Sequence, residues 1–210
     1  MTGTLALIGG GAFAGSDALD RRLLASADTQ RVLVLPTADA FEHPERAVAQ
    51  AATWFGGLGA TSVGLGVLRR PDALDEANVA AIRSARFVYL VGDSPMHMRS
   101  VLKETPVWTA LQGVLDAGGV LAASGAAAAA ICDPMVDSRG GAFTLGLGLV
   151  KGLALVTESD TWSHDRLKRT LALAKGFTVA TMTTGSAVIR DDAGWTTHGD
   201  VTLTGGELPT

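Results

Sequence analysis

Short apolar runs, each closed by glycine or proline, alternate with longer stretches whose apolar positions recur every three or four residues. The first pattern predicts buried strands and the second amphipathic helices. Leu5–Ile8 reads as a strand ending in Gly9-Gly10-Gly11, with Ser16 as the cap of a helix through Leu24. Val32–Leu35 reads as a second strand, stopped by Pro36, and a helix runs from Pro44 or Glu45 to Phe55, closed by Gly56-Gly57. Strands follow at Ser62–Val67 and Phe87–Val91, with a helix over Asp75–Ser84 between them. Helices over Pro95–Leu102 and Val107–Asp116 precede a strand at Val120–Ala123 and a helix at Ala126–Cys132. Leu153–Val156 is a further strand, and Ser163 caps a helix over Asp165–Ala174 that carries Leu167, Leu171 and Ala174 on one face.

Strands that alternate with helices imply βαβ units, hence a mainly parallel sheet covered on both faces. The expected fold is α/β: a three-layer α/β/α sandwich formed by a single domain over residues 1–210. The tail differs. Thr178–Met182, Ser186–Ile189, Trp195–Thr197 and Val201–Leu203 are short strands broken by turn residues, which predicts a C-terminal antiparallel meander. Ligands of such sheets sit at the carboxyl ends of the strands. The turns that matter are therefore Gly9–Ala12, Pro36–Asp39, Gly92–Pro95, Ser124–Ala127 and Thr157–Asp160.

Composition narrows the partners. With 47% hydrophobic and 18% charged residues the chain is rich in core material. Its formal charge of -4, with no block of Lys and Arg, argues against nucleic acid. The lone Cys132 excludes an internal disulfide, and no residue spacing matches a metal motif. No charged leader precedes a long apolar run and no apolar segment is long enough for a membrane span, so a cytoplasmic protein without a cofactor is expected.

The chemistry concentrates at Gly118-Gly119-Val120-Leu121-Ala122-Ala123-Ser124-Gly125-Ala126-Ala127, a buried strand turning sharply into a helix. A nucleophile elbow needs small residues on either side of its nucleophile, because the turn is strained. The small residues are present here. Taken with Leu7-Ile8-Gly9-Gly10-Gly11, Leu35-Pro36-Thr37-Ala38, Leu90-Val91-Gly92-Asp93-Ser94-Pro95 and Gly146-Leu147-Gly148-Leu149-Val150, the chain resembles the serine dipeptidase E and cyanophycinase family, which has a class I glutamine-amidotransferase-like fold. The pieces occur in the family's order and span nearly the whole sequence. The resemblance implies cleavage of small acidic peptides by a serine nucleophile, a histidine base and a backbone oxyanion hole.

The departures from the family fall on that machinery. Aligned without gaps, Gly125 takes the nucleophile's place. Glu158-Ser159-Asp160-Thr161 fills the slot of the family's Asp-x-His-Phe, which puts Asp160 at the histidine, or Glu158 in a shifted register. Asp93 stands beside Gly92 where the family has a glycine pair, and a carboxylate there would repel a developing oxyanion. Two readings stay open. In one, the serine mechanism is gone and Asp93, Glu158 and Asp160 hold a small polar or cationic ligand or perform altered acid–base chemistry, in a pocket that includes Gly10, Gly11, Gly92, Ser94, His97, Gly125 and Ala126. In the other, a one-residue shift makes Ser124 the nucleophile of an active hydrolase on small acidic peptides. A non-catalytic regulatory partner of an active paralogue is a third role, and the architecture admits a symmetric homodimer.

Plain structural roles compete at each position. Ser124 can bond the turn backbone, and Asp93, Glu158 and Asp160 can be solvated or cap helices. His164 stands at a helix start and His97 on a helix, while His43 and His198 carry no signal. Gly9-Gly10-Gly11 fits a tight βα turn better than a phosphate loop, because position 14 is Ala. Cys132 fits a buried small hydrophobe.

Overall fold

The computed structural model describes residues 2–14, 17–137 and 139–209. In chain order the first elements are β1 (Thr4–Ile8), α1 (Asp17–Ala27), β2 (Arg31–Leu35), α2 (Pro44–Gly57), β3 (Thr61–Gly64) and α3 (Glu76–Arg83). Then come β4 (Phe87–Leu90), α4 (Pro95–Leu102), α5 (Pro106–Asp116), β5 (Val120–Ser124) and α6 (Ala126–Ile131). Four short strands follow: β6 (Cys132–Asp133), β7 (Met135–Val136), β8 (Phe143–Thr144) and β9 (Val150–Lys151). The chain closes with β10 (Leu153–Val156), α7 (His164–Leu173), β11 (Thr178–Met182), β12 (Ala187–Asp191), β13 (Gly194–His198) and β14 (Val201–Thr204). The cap expected at Ser16 lies outside the described residues.

The period-two alternation of the parallel strands builds the three layers. Leu5 and Leu7 of β1, Val88 and Leu90 of β4, and Leu121 and Ala123 of β5 pack on one side, where α3, α4, α5 and α6 supply Ile82, Met98, Leu111 and Ile131. Ala6, Ile8, Phe87, Tyr89 and Ala122 face the other way, onto Leu19 and Leu23 of α1 and Ala51 and Phe55 of α2. Both faces of the sheet are covered, so these strands read as unbroken apolar runs. The helix starts follow their caps: the Asp75 carboxylate accepts the Ala77 N–H at 2.9 Å and the Ser163 hydroxyl accepts the Arg166 N–H at 3.3 Å.

The main sheet has seven strands in the order β13-β12-β1-β5-β4-β2-β3. β1, β5, β4, β2 and β3 run parallel. The antiparallel strands expected near the C-terminus are present, but they do not form one meander. β12 and β13 make a hairpin that joins the main sheet along β1. β11 and β14 belong to a second sheet of order β14-β11-β10-β6-β9, in which β11 lies parallel to β10. The turn after β11 causes the switch: the Gly9 N–H donates to Ser186 O at 2.7 Å and the Gly185 N–H to Gly10 O at 3.1 Å, which seats β12 on β1. Alternating apolar residues cannot tell which sheet a strand will join, so this division has no signature in the pattern. The short strands β6–β9 are likewise too brief to show a period.

Among the described residues no helix is long and apolar enough to cross a membrane. Cys132 is fully buried, and burial followed by the nearby Asp133 charge pushes its thiol far above the ordinary range, which suits an inert core residue.

One buried carboxyl stands out. Asp20 of α1 is 5% exposed and accepts the Trp54 indole N–H at 2.8 Å. Burial lifts its pKa to about 6, against which the Trp54 bond works. A carboxyl whose folded pKa is raised favours the fold below its unfolded value near 3.8 and loses that advantage as pH climbs through about 6. The shift corresponds to a cost of about 3 kcal/mol above pH 6. Asp20→Asn keeps an acceptor for Trp54 and removes the ionisation, at the expense of a buried amide N–H worth roughly 1 kcal/mol. The variant is therefore expected to exceed the wild type by roughly 1–2 kcal/mol at pH 8 and to lose that advantage at pH 4. Denaturant unfolding at the two pH values measures this; equal stability at pH 8 would contradict the burial account.

Candidate functional site at the elbow turn

The carboxyl ends of β1 and β5 meet, because their register pairs Ile8 with Ser124. The glycine turn after β1 then serves as a hub. Ile8 O accepts the Gly125 N–H at 3.0 Å, Gly9 O accepts the Glu158 N–H at 2.6 Å and Gly10 O accepts the Gly185 N–H. Gly10 has φ +129°, and a Cβ there would run into the Glu158 side chain. The glycine thus lets Glu158 lie across the turn.

Gly125 links β5 to α6 with φ 61° and ψ -131°. This is the strained strand-to-helix turn of an elbow, a conformation that side-chain-bearing residues seldom adopt. The apex carries no side chain. A Cβ on Gly125 would find its nearest neighbour, Gly10 Cα, 3.9 Å away, so the space where a nucleophile would stand is open.

The turn faces a pocket of about 160 Å³ lined by Gly10, Gly11, Phe13, Asp39, Gln50, Gly92, Asp93, Ser124, Gly125 and Glu158 among others. Three carboxyl groups reach it, and among the described residues no Lys, Arg or His is in its lining. The half-buried surroundings of Glu158 and Asp39 resist negative charge. Burial raises the Glu158 pKa, the Asp93 charge adds to this, the Gly11 N–H opposes it and the Asp160 charge adds again. Burial also raises Asp39; the Asp93 N–H opposes it, and the charges of Asp93 and Glu42 add to it. The Asp93 N–H, a donor beside the elbow, is engaged with Asp39 Oδ1 at 3.0 Å. A larger open groove of about 620 Å³ adjoins along α1 and α2, sharing Phe13 and Gln50, and carries the ion pair Asp17–Arg21.

Of the residues singled out in the sequence, Ser124, Asp93, Glu158, Gly10, Gly11, Gly92 and Gly125 line the pocket; four others do not. Asp160 is exposed, and its Oδ1 accepts the Thr184 N–H at 2.8 Å and the Thr184 hydroxyl at 3.1 Å. Those bonds lower its pKa and tie one loop to another. Of the two registers considered for the base position, the pocket therefore receives Glu158. Ser94 directs its N–H to Ala38 O at 3.0 Å at the start of α4. His97 is turned to Leu68 O, with its Nε2 at 2.8 Å, and packs on Phe41. Ala126 is buried inside the first turn of α6. His164 and His43 are exposed, and His43 pairs with Glu45 at 3.0 Å.

Asp39 escaped the sequence reading, although its turn was marked as a ligand-facing one. The clue was its place just after β2, at the same end of the sheet as Gly92 and Ser124. Phe13, with a positive φ of 61°, gave no signal at all.

No family model matches this sequence, and neither does any curated protein. Solved structures do. A peptidase from an acI-B1 Actinobacterium superimposes with a TM-score of 0.84 at 23% identity, covering 95% of this chain and 88% of that one. A "Putative Peptidase E Protein" from Listeria monocytogenes EGD-e superimposes with a TM-score of 0.70 at 15% identity, covering 97% of this chain and 98% of that one. At these identities the likeness is one of fold.

The open apex invites a direct substitution. Gly125→Ser is expected to fold, at a cost of roughly 1–3 kcal/mol for placing a side chain at positive φ. It is expected to stay unlabelled by a fluorophosphonate, since no histidine lines the pocket to activate the new hydroxyl. Intact mass after incubation reads the outcome; stoichiometric labelling at position 125 would mean that a base is in reach.

Proposed function

We propose that this chain is a relative of the peptidase E and cyanophycinase enzymes in which the elbow pocket no longer supports covalent serine catalysis and instead binds a small ligand through a cationic group, an ammonium being the simplest. The observation that carries this reading is the pocket lining: three carboxyls around a turn whose apex is glycine. Acyl transfer requires an attacking atom, a base and free donors aimed at an oxyanion. Here the apex has no side chain, no histidine lines the pocket and the Asp93 N–H is bonded to Asp39.

Electrostatics argue in the same direction. Carboxylates crowded in a half-buried site disfavour one another's charge, and a bound cation relieves that. An ammonium donates three hydrogen bonds, which suits acceptor-only carboxylates. An anionic ligand would meet repulsion from all three. Charge-assisted bonds of this kind contribute about 1.5–3 kcal/mol each when desolvated.

One observation favours the rival reading, an active hydrolase that uses Ser124: this side chain does line the pocket. It is 3% exposed, however, and points from the strand end, not from the apex of the turn.

Calorimetry at pH 7.5 and matched ionic strength separates the two. Methylammonium is expected to bind and acetate not to, with Glu158→Gln weakening methylammonium about tenfold. Affinity should fall as pH drops and the carboxyls protonate. Turnover of acidic dipeptides that disappears in Ser124→Ala would overturn the binding reading.

A further inference from the structure

We propose that the ligand of the elbow pocket is a monoamine with an uncharged, apolar body: its ammonium sits among the pocket carboxyls, and its body lies past Phe13 in the groove along α1 and α2. This names a ligand class for the same site and rests on the cationic reading of it.

The two recesses adjoin. Ala12, Phe13 and Gln50 border both of them. The pocket, at about 160 Å³, is smaller than the roughly 300–1,000 Å³ of ordinary small-molecule sites, whereas the groove, at about 620 Å³, falls inside that range. A ligand larger than a small ammonium must therefore extend out of the pocket, and the groove is the recess beside it.

Their linings differ in kind. The pocket gathers Asp39, Asp93 and Glu158. The groove is walled by Ala12, Phe13, Ala14, Ala49, Trp54 and Leu58. Its polar atoms are largely spent within the protein: the Trp54 indole N–H donates to Asp20 at 2.8 Å and the Thr53 hydroxyl to Ala49 O at 3.2 Å. Among its described lining residues Asp17 and Arg21 are the charged ones, and they pair with each other at 3.6 Å. The groove thus has no net charge of its own. It rewards apolar surface taken from water. A second ammonium or a carboxylate on the ligand would compete with the Asp17–Arg21 pair instead of meeting a free partner. One charged end and an uncharged body match the two linings together.

Phe13 marks the border. Its φ of 61° is one that a bulky side chain seldom adopts. The Ala14 N–H closes the turn onto Gly11 O at 3.2 Å, and the Phe13 ring packs on Tyr89 at 5.0 Å and Phe55 at 5.9 Å between centroids. Strain of this kind persists where surrounding packing enforces it, and it clusters at ligand sites. Here it holds an aromatic ring between acid and groove, which makes Phe13 the residue that separates an amine with a body from a bare ammonium.

Calorimetry at pH 7.5 with methylammonium, phenethylammonium and phenethyl alcohol tests this. Phenethylammonium is expected to bind about tenfold tighter than methylammonium, as burial of roughly half its apolar surface implies. The alcohol should bind at least about tenfold weaker than phenethylammonium, having lost the charge-assisted bonds. Ala49 is exposed on α2, and Ala49→Trp fills the groove from the solvent side. In that variant the ratio of the two ammonium affinities should fall to about one. In wild-type NMR spectra, phenethylammonium should move the Ala14 and Ala49 methyl resonances and methylammonium should not. Equal affinity of the two ammoniums for wild type would overturn this inference and leave the cationic pocket standing. Binding of neither ammonium, or equal binding of the alcohol and phenethylammonium, would overturn the cationic reading and this one with it. A preference that survives Ala49→Trp, or methyl resonances that ignore phenethylammonium, would put the ring outside the groove and contradict the assignment.

Discussion

Three carbonyls in a row, those of Ile8, Gly9 and Gly10, hold the site together. Each accepts an N–H from a different part of the chain: the elbow at Gly125, the loop after β10 at Glu158 and the turn before β12 at Gly185. Backbone bonds of this kind tolerate little displacement, and buried ones are expensive to break. They bring the two sheets into one arrangement and set the distance between the Glu158 side chain and the Gly125 apex. A side chain on Gly10 would lift Glu158 away, so the glycine is part of the pocket's geometry as well as of the turn.

The pocket inherits from this frame a shape made for one chemistry and a lining that suits another. An elbow exists to present a nucleophile beside free amide donors. Here its strained conformation persists at Gly125, where strain is slight because glycine tolerates positive φ. Around it, Asp39, Asp93 and Glu158 contribute negative charge with no basic residue in the lining. Asp39 even consumes the Asp93 N–H. Such a site reads most naturally as a receptor for positive charge.

Much of the fold was legible because parallel strands buried on both faces announce themselves as apolar runs closed by glycine or proline. Leu5–Ile8, Val32–Leu35 and Phe87–Val91 are cases in point, and Asp75 and Ser163 marked helix starts by their side-chain oxygens. The C-terminal strands were visible as strands. Their sorting between two sheets was not, since it depends on the Gly185–Gly10 contact, which joins residues far apart in the chain. The same limit applied at the site. Gly125, Glu158 and Asp93 stood at strand ends and could be found. Asp160, two residues from Glu158, turned outward to Thr184, and no periodicity in a loop predicts that. Asp20 reads as an ordinary helix position, and only its packing against Trp54 reveals a buried carboxyl.

The account turns on the sign of the charge that this pocket accepts. Carbon-detected NMR of the Asp39 and Glu158 carboxyls, titrated with pH in the absence and presence of saturating methylammonium, measures that sign at the atoms concerned. Both pKa values should fall when the cation is present, because it stabilises the ionised forms. Values that stay put with methylammonium and rise in the presence of a bound carboxylate ligand would contradict it.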